Sequence, residues 1–483
     1  MRETEQHRNR RRVRTALGAS VLAVMAAAPL AGVTPAARAG TPAVPPADLS
    51  GPVTGGIHGR PFGSSVINLA SWGYREDEYF ASGTAQNMGS ASNPAPTSGT
   101  APYVTRLLVR RPSNPARFNG TVLVEWFNVS SSQDYDADWS EGYREILRGG
   151  YVYVGVSVQQ AGATSTKNWD PVRYASLRHP GDGYADSMYA QILAAVRHPR
   201  GVNPLAGLSV RHVIADGHSQ SGIDLHAFVD TVQKATPVAD GFLIRGDSLT
   251  KFDFSHLRTP VLQYQSEQEM DGPVARLQQE GTYAPPASDS AFYRLWQVAG
   301  ATHTGQEGSD YLEAELGRDY ATNQQPGWDE TTEGRYGGSA VGTCVSSIGV
   351  GGLDQFPQWY TLDAAIHALN QWVTTGRAPA PAPRIGADAS GVPVRDSHGN
   401  AVGGVRDPVV DVPIATYHGD EGCPLSGVSI PLGAATLKAL YPTEASYVAQ
   451  VRKAAGRDRS AGWLTGYDAA DLIGRAQKVS LPG

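Results

Sequence analysis

Between residues 120 and 303 short apolar runs alternate with stretches of helical spacing, and that alternation limits the chain to few folds. "GTVLVEWFN" (120–128) is a continuous apolar run, which suits a strand covered on both faces. "WSEGYREILRGGY" follows with helical spacing and a glycine stop. "YVYVGVSVQ" (151–159) reads as a second buried strand, "GYADSMYAQILAAVRH" as a helix, and "RHVIADG" as a strand again. "GFLIRG", "TPVLQYQSE" and "FYRLWQVAGATH" add three more. Strands alternating with helices predict a mainly parallel, doubly wound α/β sheet, because parallel neighbours need long crossover connections. Upstream, "YREDEYFASGTA" and "YVTRLLVRRP" read as antiparallel edge strands, and the Gly/Pro-rich residues 40–62 as an extended leader. Beyond His303 lie 180 mostly loop-like residues, with an amphipathic helix at 360–376 and a helical pair after Tyr441.

One turn in this alternation carries chemistry. "IADGHSQSGIDLH" (214–226) joins a strand to a helix through a tight, small-residue segment. In that setting a strained serine can project its hydroxyl above the sheet. The strain demands small residues two positions to either side. Ser219 has Gly217 and Ser221 there, whereas Ser221 has Ser219 and the over-large Ile223. Ser219 is thus the candidate nucleophile, set against the plainer reading of a glycine-rich turn. A serine nucleophile needs a base, and the base needs an orienting acid. Glu267 and Glu269 sit at the carboxyl tip of "TPVLQYQSEQEM", and His303 sits in the Gly/Ala loop that ends the next strand. Strand tips are where catalytic groups collect in such sheets. For the developing oxyanion, one expected donor is the backbone N–H of Gln220. The second comes from Phe127, Asn128 or Val129 after "GTVLVEW", with Asn128 favoured.

These residues stand in blocks that resemble a family of secreted bacterial α/β-hydrolase-domain proteins of poorly defined substrate. The blocks are "YVTRLLVRRPSNPARFNGTVLVEWFNVSS", "GGYVYVGVSVQ", "GDGYADSMYAQI", "GHSQS", "TPVLQYQSE", "VAGATH" and "LYPTEASYVAQV". They keep their order over most of the chain. The resemblance implies an α/β-hydrolase fold with Ser219 as nucleophile and His303 as base. Matching "TPVLQYQSEQE" to the commoner strand end G-E-x-D puts Glu269 in the acid position, as Glu where Asp is usual. Glu267 stays open as the alternative acid. The activity expected is that of a carboxylic ester hydrolase working through an acyl-enzyme, without a cofactor, on a small-molecule or polymeric ester. Acyl transfer by the same residues, or a catalytically silent binding protein on this scaffold, are the alternatives.

Composition bounds the rest. Arg8, Arg10, Arg11, Arg12 and Arg14, the apolar stretch 16–33 and Ala37-Arg38-Ala39 read as a signal peptide over residues 1–39, with Sec and twin-arginine export both open. That segment holds seven Arg and two acidic residues, so its removal takes the formal charge from −6 to −11. Such a chain lacks the basic footprint of a nucleic-acid partner. No later segment is apolar enough to be expected to span a membrane. Residues 40–483 are expected to form a single domain, with a catalytic core of about 63–310 and a tail of 311–483. Cys344 and Cys423 suggest one disulfide in an oxidising compartment, or else two buried thiols. Asp134, Asp136, Asp138 and Glu145 have calcium-loop spacing, but Trp139 stands where the loop needs Gly, so no metal is expected. Between Ser219 and Glu269 no cap domain fits. Residues 304–360, with Trp328, Tyr336, Trp359 and Tyr360, are therefore expected to wall the substrate pocket, unless they pack on a far face.

Overall fold

Strands buried on both faces make the centre of the sheet, and their order decides where a site can open. The computed structural model describes residues 44–89, 98–247, 256–270, 288–320, 343–388 and 391–482, all within the unit Gly40–Gly483. The strands are β1 (Asp48–Ser50), β2 (Tyr74–Gln86), β3 (Thr100–Pro112), β4 (Thr121–Trp126), β5 (Val152–Val156), β6 (Arg200–Gly201), β7 (His212–His218), β8 (Gly241–Arg245), β9 (Val261–Gln265) and β10 (Tyr293–Gln297). Among the described residues they form one ten-stranded sheet in the order β10-β9-β8-β7-β4-β5-β3-β2-β1-β6. From β10 through to β5 all neighbours are parallel. β5 to β3, β3 to β2 and β2 to β1 are antiparallel. β2 and β3 are therefore antiparallel as expected but are not edge strands. The leader itself supplies β1, which pairs with β2 and carries β6 beyond it.

Side chains leave each strand on alternate faces, so one buried strand feeds two cores. In β4, Val122, Val124 and Trp126 join one cluster and Leu123 the other. The longer helices are α1 (Ala137–Gly149), α2 (Gln160–Trp169), α3 (Ala185–Arg197), α4 (Gln220–Phe228), α5 (Gln306–Asp319), α6 (Trp359–Thr375), α7 (Glu444–Ala461) and α8 (Gly466–Ala476), the last two packed in a cluster of their own. Leu193 of α3 and Leu225 and Phe228 of α4 cover the first face. Trp139 and Ile146 of α1, with Leu362 and Trp372 of α6, cover the second. No helix of the described residues is long and apolar enough to cross a membrane.

The chain runs from β4 to β5 on one side, then returns through α2 and α3 to β7 on the other. That reversal leaves a crevice outside the carboxyl ends of β4 and β7, where ligands bind in open α/β sheets. Outside the sheet, β11 (Cys344–Ser346) and β12 (Gly349–Gly351) form a ribbon, and β13 (Ala415–Cys423) and β14 (Gly427–Pro431) form a hairpin. Cys344 and Cys423 are bonded across these two pairs, with Cα atoms 5.1 Å apart and a sequence separation of 79. Closing a loop of that length stabilises by about 4.5 kcal/mol in the chain-entropy account. The protein is expected to gain two hydrogens in intact mass on reduction. Two thiols labelled without reductant would contradict the bridge.

Candidate active site

β7 stops at His218 and α4 starts at Gln220, so Ser219 alone makes the turn between them. Its φ is +59° and its ψ −120°, a conformation that costs a non-glycine residue of order 1–3 kcal/mol. The surroundings hold it there. Ser219 N–H donates to the Arg245 carbonyl of β8 at 2.8 Å, and Ser219 C=O accepts from Ile223 N–H at 2.9 Å. A Cβ on Gly217 would lie 2.9 Å from the Ser221 carbonyl, and one on Gly222 would lie 2.6 Å from the Arg245 carbonyl. The turn closes only because both are glycine. Ser221, the small residue of the sequence argument, is buried and turned away. Its hydroxyl donates to His218 O at 2.9 Å and accepts from His218 N–H at 3.1 Å.

The Ser219 hydroxyl lies 2.8 Å from His303 Nε2, and His303 Nδ1 lies 2.7 Å from Glu269 Oε1. With Nδ1–H given to the carboxylate, Nε2 is left to take the serine proton. Glu269 closes a single 3₁₀ turn after β9. Its other oxygen accepts from Ser266 N–H at 2.5 Å and Ser266 Oγ–H at 2.8 Å, which fixes the carboxylate plane. Glu267 faces elsewhere. One of its oxygens accepts from Gly300 N–H at 2.5 Å and the other pairs with Arg395 at 3.0 Å. Burial pushes its carboxyl up to about 7, against the pull of Arg395. Of the two candidate acids, then, the structure brings only Glu269 to His303.

The loop after β4 departs from expectation at Asn128. Its N–H is committed to Tyr135 O at 3.0 Å, so it is not free for an oxyanion, and Phe127 N–H is committed to Val156 O at 3.2 Å. Val129 N–H meets only the Gln220 side-chain oxygen, at a long 3.4 Å, and lies beside the turn. It replaces Asn128 as the second donor candidate. Gln220 is the first residue of α4, where an amide has no acceptor within its own helix. Asn128 acts instead through its side chain, which donates to His218 O at 2.8 Å and accepts from Ser130 N–H at 2.7 Å, tying the β4 loop to the end of β7.

Several neighbours carry no sequence signal of their own. The His218 ring packs on His303 with centroids 4.7 Å apart, and burial together with the Arg245 and His303 charges pushes it well below the usual histidine range. The Arg245 guanidinium pairs with Asp138 at 2.8 Å and Glu141 at 2.5 Å. Glu141 in turn accepts from Gly305 N–H at 2.9 Å and from the Gln358 amide at 2.8 Å, and Gln358 Oε1 accepts from Thr302 N–H at 3.1 Å. The strand behind Ser219 and the backbone on both sides of His303 thus share one buried network. The calcium-like aspartates are also taken up by arginines: Asp134 by Arg106, Asp136 by Arg110 and Asp138 by Arg245. Among the described residues, Glu125, Asp138 and Asp216 alone have the spacing of a metal-binding group. Burial and the neighbouring Asp138 charge push Glu125 and Asp216 well above the usual carboxylate range.

A cleft of about 650 Å³, open to solvent, lies next to the loop after β4, with none of Ser219, His303 and Glu269 in its lining. It is lined by one face of α2, with Gln160, Thr164, Ser165 and Asn168, and by Ser132 and Tyr320. Ser132 N–H closes a turn onto Val129 O at 2.8 Å, which sets the cleft's near end within about 7 Å of Val129. Tyr320 follows α5 and, among the described residues, is the part of 304–360 that lines this cleft. Trp359 and Tyr360 do not: they are buried against Tyr447, Val451 and Leu472 of α7 and α8. Trp328 and Tyr336 lie outside the described residues.

A family model described as an alpha/beta hydrolase domain matches residues 49–474. No curated protein matches the sequence. Among solved structures, esterase Est22 matches at 13% identity over 53% of this chain and 80% of its own, with a TM-score of 0.31. A dienelactone hydrolase from Anabaena variabilis matches at 15% identity over 41% and 82%, with a TM-score of 0.27. XC6422 from Xanthomonas campestris, described as a serine hydrolase without lid, matches at 12% identity over 50% and 91%, with a TM-score of 0.28.

Proposed function

The chain belongs to the alpha/beta hydrolase domain family, and from that premise we propose that it is a carboxylic ester hydrolase working through an acyl-enzyme on Ser219. The observation that carries the reading is the relay of 2.8 Å and 2.7 Å from a strained serine through His303 to Glu269. His303 Nε2 takes the hydroxyl proton as Ser219 Oγ attacks the ester carbonyl. The amides of Gln220 and Val129 hold the oxyanion, each worth roughly 3 kcal/mol in the transition state. His303 then gives its proton to the leaving alcohol, and water repeats the cycle on the acyl-enzyme. A neutral His218 suits this scheme, since a second cation against the ring would oppose protonation of His303.

With a p-nitrophenyl ester and added alcohols, free acid is expected as the main product. A new ester as the main product would assign acyl transfer instead, and no turnover of any ester in a panel of acyl lengths would reject catalysis. Apart from Asp182, the polar side chains that line the cleft are uncharged and can hydrogen-bond, and Trp169 adds an aromatic face, which suits a neutral, hydroxyl-bearing ester, small or polymeric. Ser165→Trp, which fills the cleft away from Ser219, is expected to raise KM about tenfold with kcat nearly unchanged. An unchanged KM would place substrate elsewhere. We propose further that the protein acts outside the cytoplasm after losing residues 1–39. The cystine supports an oxidising compartment, and an exported product that begins at Gly40 is the expected finding.

A further inference from the structure

The β13–β14 hairpin follows His303 by more than a hundred residues and lies outside the parallel sheet, yet it touches the loops of both His303 and Glu269. We propose that this hairpin, fastened by the Cys344–Cys423 bridge, positions His303 and Glu269 against Ser219. The inference rests on the reading of these three as the reacting set.

Its contacts with the histidine loop bracket His303. Leu425, in the hairpin turn, offers one carbonyl to two donors: Thr304 N–H at 2.9 Å and the Thr302 hydroxyl at 3.0 Å. Leu425 has a φ of +63°, unusual for a residue with a side chain, so its surroundings must hold it there. Earlier in the hairpin, a Cβ on Gly419 would fall 1.7 Å from the Ala301 carbonyl. Only glycine lets the two backbones come that close.

The hairpin reaches the acid loop as well. Asp420 O accepts from the Gln268 side chain at 3.4 Å, and the Asp420 carboxylate shares Arg395 with Glu267. Glu267 links the two loops directly, through its N–H to Ala301 O at 3.0 Å and its carboxylate to Gly300 N–H at 2.5 Å. Glu267 is therefore a positioning residue rather than the acid. One small element thus touches the backbone either side of His303 and the turn that ends in Glu269.

A two-stranded hairpin is marginal in water without further support. Here the support comes next to the contact. Cys423 ends β13 two residues before Leu425, and its sulfur is bonded to Cys344 of the neighbouring ribbon. The turn is closed by Ser426 N–H on Cys423 O at 3.0 Å, and Ser426 O accepts from Asp354 N–H at 3.0 Å. Without the bridge the Leu425 carbonyl is less firmly placed, and the backbone next to His303 on its C-terminal side is left with the Glu141 contact to Gly305, while Gln358 and Glu267 still hold the N-terminal side.

The test compares the mature protein with Cys344→Ser/Cys423→Ser, Thr302→Val and Thr302→Ser in steady-state ester hydrolysis. A misplacement of about 1 Å costs about 100-fold in rate, so the double variant and Thr302→Val are expected to lose about 10- to 100-fold in kcat, with KM within about twofold. Thr302→Ser keeps the hydroxyl and is expected to restore most of the loss. A role in stability alone would lower the melting temperature and leave kcat of the folded protein unchanged, and that result overturns the proposal. If the double variant does not fold, the Thr302 pair decides: equal kcat for Val and Ser also overturns it. Fluorophosphonate labelling of wild-type Ser219 separates the two levels. Labelling with unchanged kcat in the variants removes only the positioning role, whereas no labelling removes the reacting set and the clamp together.

Discussion

Ser219→Ala is expected to lower kcat on p-nitrophenyl esters by about 10⁶-fold, while Ser221→Ala stays within about tenfold of wild type. The size of the first loss follows from what the hydroxyl does. In the proposed mechanism no covalent intermediate forms without it, and only binding and the oxyanion donors remain to help water attack. The contrast with Ser221 follows from geometry. Ser219 points its oxygen at His303 Nε2, 2.8 Å away, whereas Ser221 spends its hydroxyl on both backbone groups of His218. Losing that hydroxyl leaves a buried polar group short of a partner, a cost of about 1–3 kcal/mol in stability rather than in the chemical step. The Ser221 variant should therefore melt earlier and still turn over ester. If Ser221→Ala is the inactive protein and Ser219→Ala keeps its rate, the nucleophile is misassigned.

Glu269→Gln is expected to cost about 10⁴-fold in kcat with the fold intact. An amide there can offer His303 Nδ1 its N–H side, which favours the wrong tautomer, and it cannot stabilise the imidazolium. Glu267→Gln should cost far less. Its carboxyl is pushed up to about 7 by burial, so near neutrality it already holds a proton part of the time, and glutamine resembles that form. The sign of its pH effect follows. The folded carboxyl keeps its proton to a higher pH than the unfolded one, so the wild type should lose stability relative to Glu267→Gln as pH rises from 4.5 towards about 7. Equal and mild losses of kcat in both variants would mean that neither glutamate orients the histidine.

Much of the architecture is legible in the sequence because burial on both faces leaves continuous apolar runs such as "TVLVEW", and because the connections between them keep helical spacing. The candidate site is legible for a related reason: Ser219, Glu269 and His303 each follow a strand's carboxyl end, and the sheet brings such ends together. What the sequence hides is long-range or belongs to the backbone. Residue type does not reveal that the Asn128 amide is committed to Tyr135 O. The calcium-like spacing of Asp134, Asp136 and Asp138 has its explanation in Arg106, Arg110 and Arg245, the last of them 107 residues from its partner. Gly222 lies outside the two-residue window of the small-residue rule, yet it faces the Arg245 carbonyl from a neighbouring strand. Trp359 and Tyr360 look like pocket aromatics by composition, but the C-terminal helices need a core of their own, and these two side chains supply part of it.

The central claim is that Ser219 becomes covalently acylated with His303 as its base. The most direct measurement is mass-spectrometric mapping of the protein after reaction with a fluorophosphonate. The account predicts one adduct per chain, on the peptide that contains Ser219, with the His303→Ala variant reacting slowly or not at all. An adduct on another residue, or no adduct in a preparation that hydrolyses esters, would contradict it.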